Sequence, residues 1–287
     1  MEFRNYTTTD YEALCDFLIA LNRDDRRHIN WNWARLEWMY EHPQFDKSTM
    51  DAIGLWLDGG RIVGAAIYDM YFGEAFCGAL SGYEDLYPAI LSYAYRELGD
   101  ESGVGVSVCD DSAGEIEALR ALGFELSDQD ETVMSIPLDG QLPVEMPQGF
   151  TIEELDPAQQ ADDFQWLLWQ GFDHGTDRTE FEVKETIVPQ VRPHFDRSLS
   201  LTAVSAGAEK TAYCCLWYQP GTDYAYVEPV CTVPSYRGRG IARALIHEAL
   251  NRAGDLGARR AYVISDTEFY QRLGFTTAHH FSFYWKL

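Results

Sequence analysis

The tetrapeptide ALGF at Ala121–Phe124 returns as RLGF at Arg272–Phe275, 151 positions later. Two further pairs keep the same order. FRNYTTTDYEALCDFL, from Phe3, resembles FTIEELDPAQQADDFQWLL, from Phe150, and GLWLDGGRIVGAAIY, from Gly54, resembles LTAVSAGAEKTAYCCLWY, from Leu201; each pair lies 147 positions apart. Three correspondences in one order at nearly one offset restrict the chain to two copies of a single plan. DGQLPVEMPQG, Asp139 to Gly149, has the proline and glycine content of a linker. It divides the chain into residues 1–138, a linker at 139–149 and residues 150–287.

Each copy reads as a strand, one or two helices, several antiparallel strands, a helix, a strand, a short helix and a final strand. The Gly54 and Leu201 segments are hairpins with glycine-containing turns. In the last strand of the chain, Phe281, Phe283 and Trp285 alternate with His280, Ser282 and Tyr284. The expected fold class is α/β in the broad sense, an α+β mixed sheet, mostly antiparallel with helices on both faces, built twice.

Composition narrows the function. No apolar run reaches the roughly 20 residues that span a bilayer. The start, MEFRNYTTTDYEAL, lacks the basic and apolar regions of a signal peptide, so a cytoplasmic protein with no membrane partner is expected. A formal net charge of −24 argues against a nucleic-acid partner, because duplex binding rests on Lys and Arg neutralising phosphates. It is compatible with a cationic partner such as an amine, and equally with a plain acidic surface that keeps the chain soluble. The six cysteines have no CxxC or metal-ligand spacing, which leads us to expect reduced thiols and no metal. His279 and His280 are adjacent on a strand and face opposite ways, so they do not chelate together. Trp31 and Trp38, seven apart in HINWNWARLEW, are expected on one helix face, in the core or lining a substrate cleft.

Against this acidic background, VEPVCTVPSYRGRGIARALIHEAL (Val227–Leu250) carries three arginines, two glycines and no acid between Arg237 and Arg243. DYAYVE before it reads as a strand with Tyr224, Tyr226 and Glu228 on one face, interrupted at Pro229, which has no N–H for the ladder. A helix begins near Gly240, with Ala242, Leu245, Ala249, Ala253 and Leu256 as its apolar face and Gly257 as its C-cap. A helix start presents unpaired N–H groups and partial positive charge to an anion. Gly238 and Gly240 let the backbone approach it closely, and Arg237, Arg239 and Arg243 add formal charge. Charge-assisted hydrogen bonds of ~1.5–3 kcal/mol each outweigh a distant, salt-screened negative field.

This order resembles the acetyl-CoA loop of the GCN5-related N-acetyltransferases (GNAT). Their R/Q-x-x-G-x-G/A motif is met by Arg237, Gly240 and Ala242 in RGRGIA, preceded by the P-x-Y element at Pro234 and Tyr236. The resemblance implies that the coenzyme's pyrophosphate sits on Arg237, Gly238, Arg239, Gly240, Ile241 and Ala242. It also implies that its pantetheine arm pairs with backbone groups of Val230, Cys231 and Thr232. The amine of an acceptor, a small molecule or a peptide, then attacks the thioester directly. Tyr270 in EFYQRLGF matches the tyrosine that protonates the departing sulfur, although the short VISDTEFYQ approach lacks the asparagine and longer helix of many members. Among the residues themselves, an N–H near Val230–Thr232 is the candidate oxyanion donor, and Glu228 the candidate base, directly or through a water. The acids Asp173, Asp177, Glu180 and Glu182 of GFDHGTDRTEFE are candidates for attracting an amine, or simply a polar loop.

In the first copy the matching junction reads SGYEDLYPAIL, with Glu84 and Asp85 where the arginines stand, and EALRALGF has no matching tyrosine. That copy is expected to be degenerate, a structural half that closes the acceptor cleft. The expected function is an acyl-CoA-dependent N-acyltransferase using acetyl-CoA as co-substrate, with a CoA-binding sensor or scaffold as the alternative. Its expected state is a monomer or homodimer.

Overall fold

The computed structural model describes all residues except Asp24, Thr186, Val191 and Arg192. Hydrophobic alternation and glycine turns produce the same succession of elements twice. The first half runs β1 (Glu2–Asn5), α1 (Tyr11–Leu21), α2 (Trp33–Tyr40), β2 (Gly54–Asp58), β3 (Arg61–Asp69), β4 (Tyr71–Ala79), α3 (Tyr87–Glu97), β5 (Val104–Cys109), α4 (Ala113–Ala121) and β6 (Glu125–Pro137). The second runs β7 (Phe150–Glu154), α5 (Ala161–Gly171), α6 (Arg178–Lys184), β8 (Ser200–Ser205), β9 (Lys210–Trp217), β10 (Tyr224–Thr232), α7 (Ile241–Leu256), β11 (Arg260–Ile264), α8 (Glu268–Arg272) and β12 (Thr276–Lys286). Gly59 and Gly60, at φ 58° and 84°, supply the left-handed pair that a two-residue hairpin requires.

The halves do not make two sheets. All the strands form one 12-stranded sheet in the order β1-β2-β3-β4-β5-β12-β6-β11-β10-β9-β8-β7. The last strand of each half has crossed into the other: β12 lies between β5 and β6, and β6 pairs with β11. The parallel pairs, β4–β5 and β10–β11, are short. The segments 1–138 and 150–287 are therefore sequence repeats that exchange a strand, and neither completes its own part of the sheet.

This has a direct consequence for truncation. Residues 150–287 alone would leave the 11-residue β12 with neither of its neighbours, and β11 with an open edge. We expect that fragment either to aggregate or to dimerise by exchanging β12 between copies. A folded monomer, seen by light scattering and circular dichroism, would contradict the arrangement.

One core cluster contains Ala225, Val227 and the buried face of α7; a second continues through both halves and contains Tyr224, Tyr226 and Trp217. The alternation expected along β10 thus holds. Its tyrosine face, however, is covered by the first half rather than left as an open wall: the Arg26 guanidinium lies 4.9 Å from the Tyr224 ring centre. Trp33 meets Trp217 edge-on at 6.1 Å. Trp31 precedes α2 and stacks on Phe76 at 4.4 Å, so it shares no helix face with Trp38. Trp38 instead borders a cavity of about 210 Å³ with Leu168, Trp169 and Phe172.

Helix α7 buries Ile241, Ala244, Leu245, Ile246, Ala249, Leu250 and Ala253, while Leu256 is 46% exposed. The expected stripe is rotated because its alanines carry little hydrophobic weight and Ile241 and Ile246 fix the orientation. Gly257 caps the helix at φ 118°. The linker is strapped to this helix. The Leu142 N–H donates to Asn251 Oδ1 at 2.7 Å, Asn251 Nδ2 donates to the Leu142 carbonyl at 2.9 Å, and His247 Nδ1 donates to the Pro143 carbonyl at 2.7 Å. All six cysteines are free and buried. Among the described residues, no helix is long and apolar enough to cross a membrane.

Candidate functional site

Strand β10 builds the site by leaving its neighbour. Its parallel pairing with β11 ends at Tyr226–Tyr262. Its pairing with β9 shifts register between Val227 and Val230, where the Glu228–Pro229 peptide is cis, and resumes at Val230–Cys214. From Glu228 onward the edge that faced β11 has no strand partner among the described residues. The Val233 N–H donates to the Thr211 carbonyl on β9. By the two-residue period Cys231 also faces β9, and Val230 and Thr232 direct their amides to the open side.

The chain then turns through Pro234–Tyr236 into the helix start. Gly238 and Gly240 have φ of 74° and 85°, and Gly240 is the N-cap of α7. Among the described residues beyond the chain neighbours, no atom lies within 4 Å of where a side chain would begin at either glycine, so the requirement is the left-handed backbone and clear space above it. Val230, Cys231, Thr232, Arg237, Gly238, Arg239, Gly240, Ile241 and Ala242 all line one cleft of about 440 Å³, with Arg243, Phe269 and the end of α5 completing it.

The arginines are not equivalent. Arg237 donates to the carbonyls of Thr232 and Gly171 at 2.9 Å each and to Asp173 Oδ2 at 2.9 Å. It buckles the end of β10 to the loop after α5, and a large part of its charge is neutralised there. Arg239 donates to the Ser235 carbonyl at 2.9 Å, and Arg243 is exposed at the cleft. Gly171 lets α5 approach closely, since an added Cβ would sit 2.4 Å from Cys231 Sγ. Burial pushes the Cys231 thiol up to about 12.

Glu228 is held by its backbone and unsatisfied at its tip. Trp217 Nε1 donates to its carbonyl at 2.7 Å, while its Oε2 is buried without a hydrogen bond among the described residues. Burial raises its pKa above the ordinary carboxylate value; Arg35 and a Tyr226 hydrogen bond pull the other way, and Asp69 and Glu131 add to the rise. Arg35, Asp69 and Glu131 come from the first half, where Arg35 pairs with Asp69 at 3.0 Å and Glu131 at 3.4 Å. No local sequence signal links them to Glu228; strand exchange brings them there. Tyr270 packs edge-on against Phe275 at 5.4 Å, and Phe269, not Tyr270, borders the cleft of the loop. Burial, then the proximity of Cys214 and Glu228, raises the Tyr270 pKa, which keeps the hydroxyl protonated.

Two segments singled out in the sequence have their side chains engaged. The acids of GFDHGTDRTEFE are already engaged. Asp173 pairs with Arg237, Asp177 caps α6 by accepting from Thr179 and Glu180, Glu180 pairs with Lys184 and Glu182 with Arg178. These contacts fold the loop, which is the polar-loop reading of its sequence. His280 does find partners, but they are the carboxylates of Asp110 at 2.7 Å and Asp130 at 2.8 Å.

A parallel strand pair that splays beside a glycine-rich helix start defines a chain with the acetyltransferase fold. The model described as Acetyltransferase (GNAT) family matches residues 161–275. That match lies wholly within the second half of the chain, and the chain as a whole has the tandem GNAT fold. It is similar to a tandem GNAT protein from the clavulanic acid biosynthesis pathway, with a TM-score of 0.65 and 16% identity over 99% of this chain and 97% of that one. It is also similar to the GCN5-related N-acetyltransferase from Sphaerobacter thermophilus, with a TM-score of 0.60 and 18% identity over 99% and 95%. A third likeness is to Saccharomyces cerevisiae N-myristoyltransferase, solved with bound myristoyl-CoA, at a TM-score of 0.57 and 14% identity over 99% and 78%. No curated protein sequence matches this chain.

Proposed function

We propose that the second half transfers an acyl group, acetyl in the first instance, from acyl-CoA to a primary amine by direct attack. The observation that carries this reading is the meeting of an unpaired β10 edge with a left-handed glycine loop at the start of α7. The loop N–H groups, Arg239 and Arg243 hold the diphosphate, and the open amides of Val230 and Thr232 face the pantetheine arm and the thioester oxygen. Arg237 acts mainly by fixing the walls. A cysteine acyl-enzyme is disfavoured, because a thiol at about 12 is on the order of one part in 10⁴ thiolate at pH 8. Positioning of amine against thioester then supplies the largest part of the rate. The buried, reduced thiols fit a cytoplasmic protein. Incubating the full chain with acetyl-CoA and a panel of amines, and following free thiol, tests the reading. Coenzyme binding without amine-dependent thiol release would favour a sensor.

Glu228 is the proposed base, and its raised pKa makes a signed prediction. A carboxylate whose folded pKa lies above its unfolded value stabilises the fold below the unfolded pKa and loses that contribution as pH rises through the folded one. Glu228→Gln should therefore have a higher Tm than the parent at pH 8, with the difference vanishing toward pH 4. If Glu228 is the base, the same variant also loses the rising alkaline limb of kcat. A lower Tm at pH 8 would remove the buried-carboxylate account.

A further inference from the structure

Where the exchanged strand β12 meets the end of β5, a cysteine, an aspartate and a histidine converge. The antiparallel ladder sets Phe281 opposite Cys109. Side chains on one face of such a pair recur at every second position. His279 and Asp111 therefore belong to the face of Phe281 and Cys109, and His280 and Asp110 to the other. Two local features complete the convergence. Strand β12 shifts register against β6 between Thr277 and His279, a bulge of the kind that re-aims the side chain beside it. Strand β5 ends at Cys109, and the Ser112 N–H donates to the Cys109 carbonyl at 2.8 Å, closing a turn that carries Asp111.

One ligand atom from each of Cys109, Asp111 and His279 lies within 4.8 Å of the other two. Cys109 Sγ is 3.9 Å from His279 Nδ1, a weak contact at best for a thiol. Among the described residues it is the only hydrogen-bonding contact of the His279 ring, and the Asp111 carboxylate has neither a hydrogen bond nor an ion pair. Three ligating groups thus face one another with their bonding capacity unspent. The next residue shows the contrast, since both ring nitrogens of His280 are held, by Asp110 at 2.7 Å and Asp130 at 2.8 Å. The other compact group of this kind, Cys15–Glu37–His194, is already closed on itself: His194 Nδ1 lies 2.7 Å from Glu37, which also accepts from the His194 N–H at 2.9 Å.

From this we infer that Cys109, Asp111 and His279 form a zinc site that staples the exchanged strand to the first half. Thiolate, imidazole and carboxylate together suit Zn²⁺. Zn–S and Zn–N bonds of about 2.3 and 2.0–2.1 Å reach across the 3.9 Å gap at an open angle, so an ion between the two atoms needs little adjustment of either. Three protein ligands leave a fourth position to water, on the side of the exposed Asp111, which is also the entry path past the half-buried His279 to the buried Cys109. As the metal–sulfur bond forms, the thiol proton leaves to solvent. The ion cross-links residues 170 positions apart, which no ligand spacing along the sequence can display. The inference is independent of acyl transfer by the second half.

Cobalt titration of the full chain, stripped of metal by a chelator and kept reduced, tests it. Co²⁺ takes the same ligands and reports a thiolate by a charge-transfer band in the near ultraviolet. One equivalent should bind with that band, and Zn²⁺ should displace it. Zinc at a hundredfold above its Kd should raise Tm by roughly 5 °C. Asp111→Asn, at an exposed position, and His279→Gln should each weaken cobalt binding by about 10- to 10²-fold. Cys109→Ala should abolish the band and Cys15→Ala should leave it. Three outcomes would overturn the inference: no thiolate band in the parent, an affinity indifferent to Asp111→Asn and His279→Gln, or a band that follows Cys15 rather than Cys109.

Discussion

A Gly240→Asp chain should still fold, at a small cost in stability, and lose acetyl-CoA. Aspartate tolerates the left-handed backbone better than most residues and nothing crowds its Cβ, so the strain at φ 85° should cost about 1–2 kcal/mol and lower Tm by a few degrees without unfolding the chain. Binding has every reason to change. The new carboxylate lies where the diphosphate meets the first N–H groups of α7, replacing a partly positive helix end by a formal negative charge. Loss of one or two charge-assisted bonds at ~1.5–3 kcal/mol each, with added repulsion, gives an affinity loss of roughly 10²-fold or more. Calorimetry on the full chain measures it; unchanged affinity in the folded variant would mean that the coenzyme binds elsewhere. The first half has in effect made this change, since Glu84 already satisfies the amide of Gly82.

The order of elements was legible because glycine turns, proline breaks and apolar alternation are local signals, and each occurs twice. The strand exchange was not. β6 and β12 both end a half with similar strand chemistry, and nothing in either segment states which β5 or β11 it will lie beside. The loop was legible as a positive, glycine-rich helix start. That Arg237 spends its donors on Thr232, Gly171 and Asp173 was not, because two of those partners are carbonyls and the third lies 64 residues away. Glu228 was legible only as a strand carboxylate beside two tyrosines; its burial comes from the first half, whose Arg35, Asp69 and Glu131 reach it through the shared sheet. The first half thus covers the tyrosine face of β10 and places charge beside Glu228.

Tyr270→Phe should lower kcat by about 10- to 10²-fold with little change in coenzyme affinity or Tm. The ring packs on Phe275, and phenylalanine preserves that contact. Because the hydroxyl pKa is raised, full proton transfer to a thiolate with an ordinary pKa near ~8.5 is uphill. What Tyr270 offers is a hydrogen bond that strengthens as sulfur gains charge, and ~1.5–3 kcal/mol for such a bond sets the expected range. The same argument fixes how the deficit should vary. A thioester whose thiol is more acidic develops less demand for a donor, so the parent and Tyr270→Phe rates should converge with such acyl donors. The parent should also show no loss of activity between pH 6 and pH 9 from titration of this group, since a raised pKa keeps the proton in place throughout. Equal turnover by Tyr270→Phe with acetyl-CoA would take the hydroxyl out of the mechanism and leave the ring as support for α8.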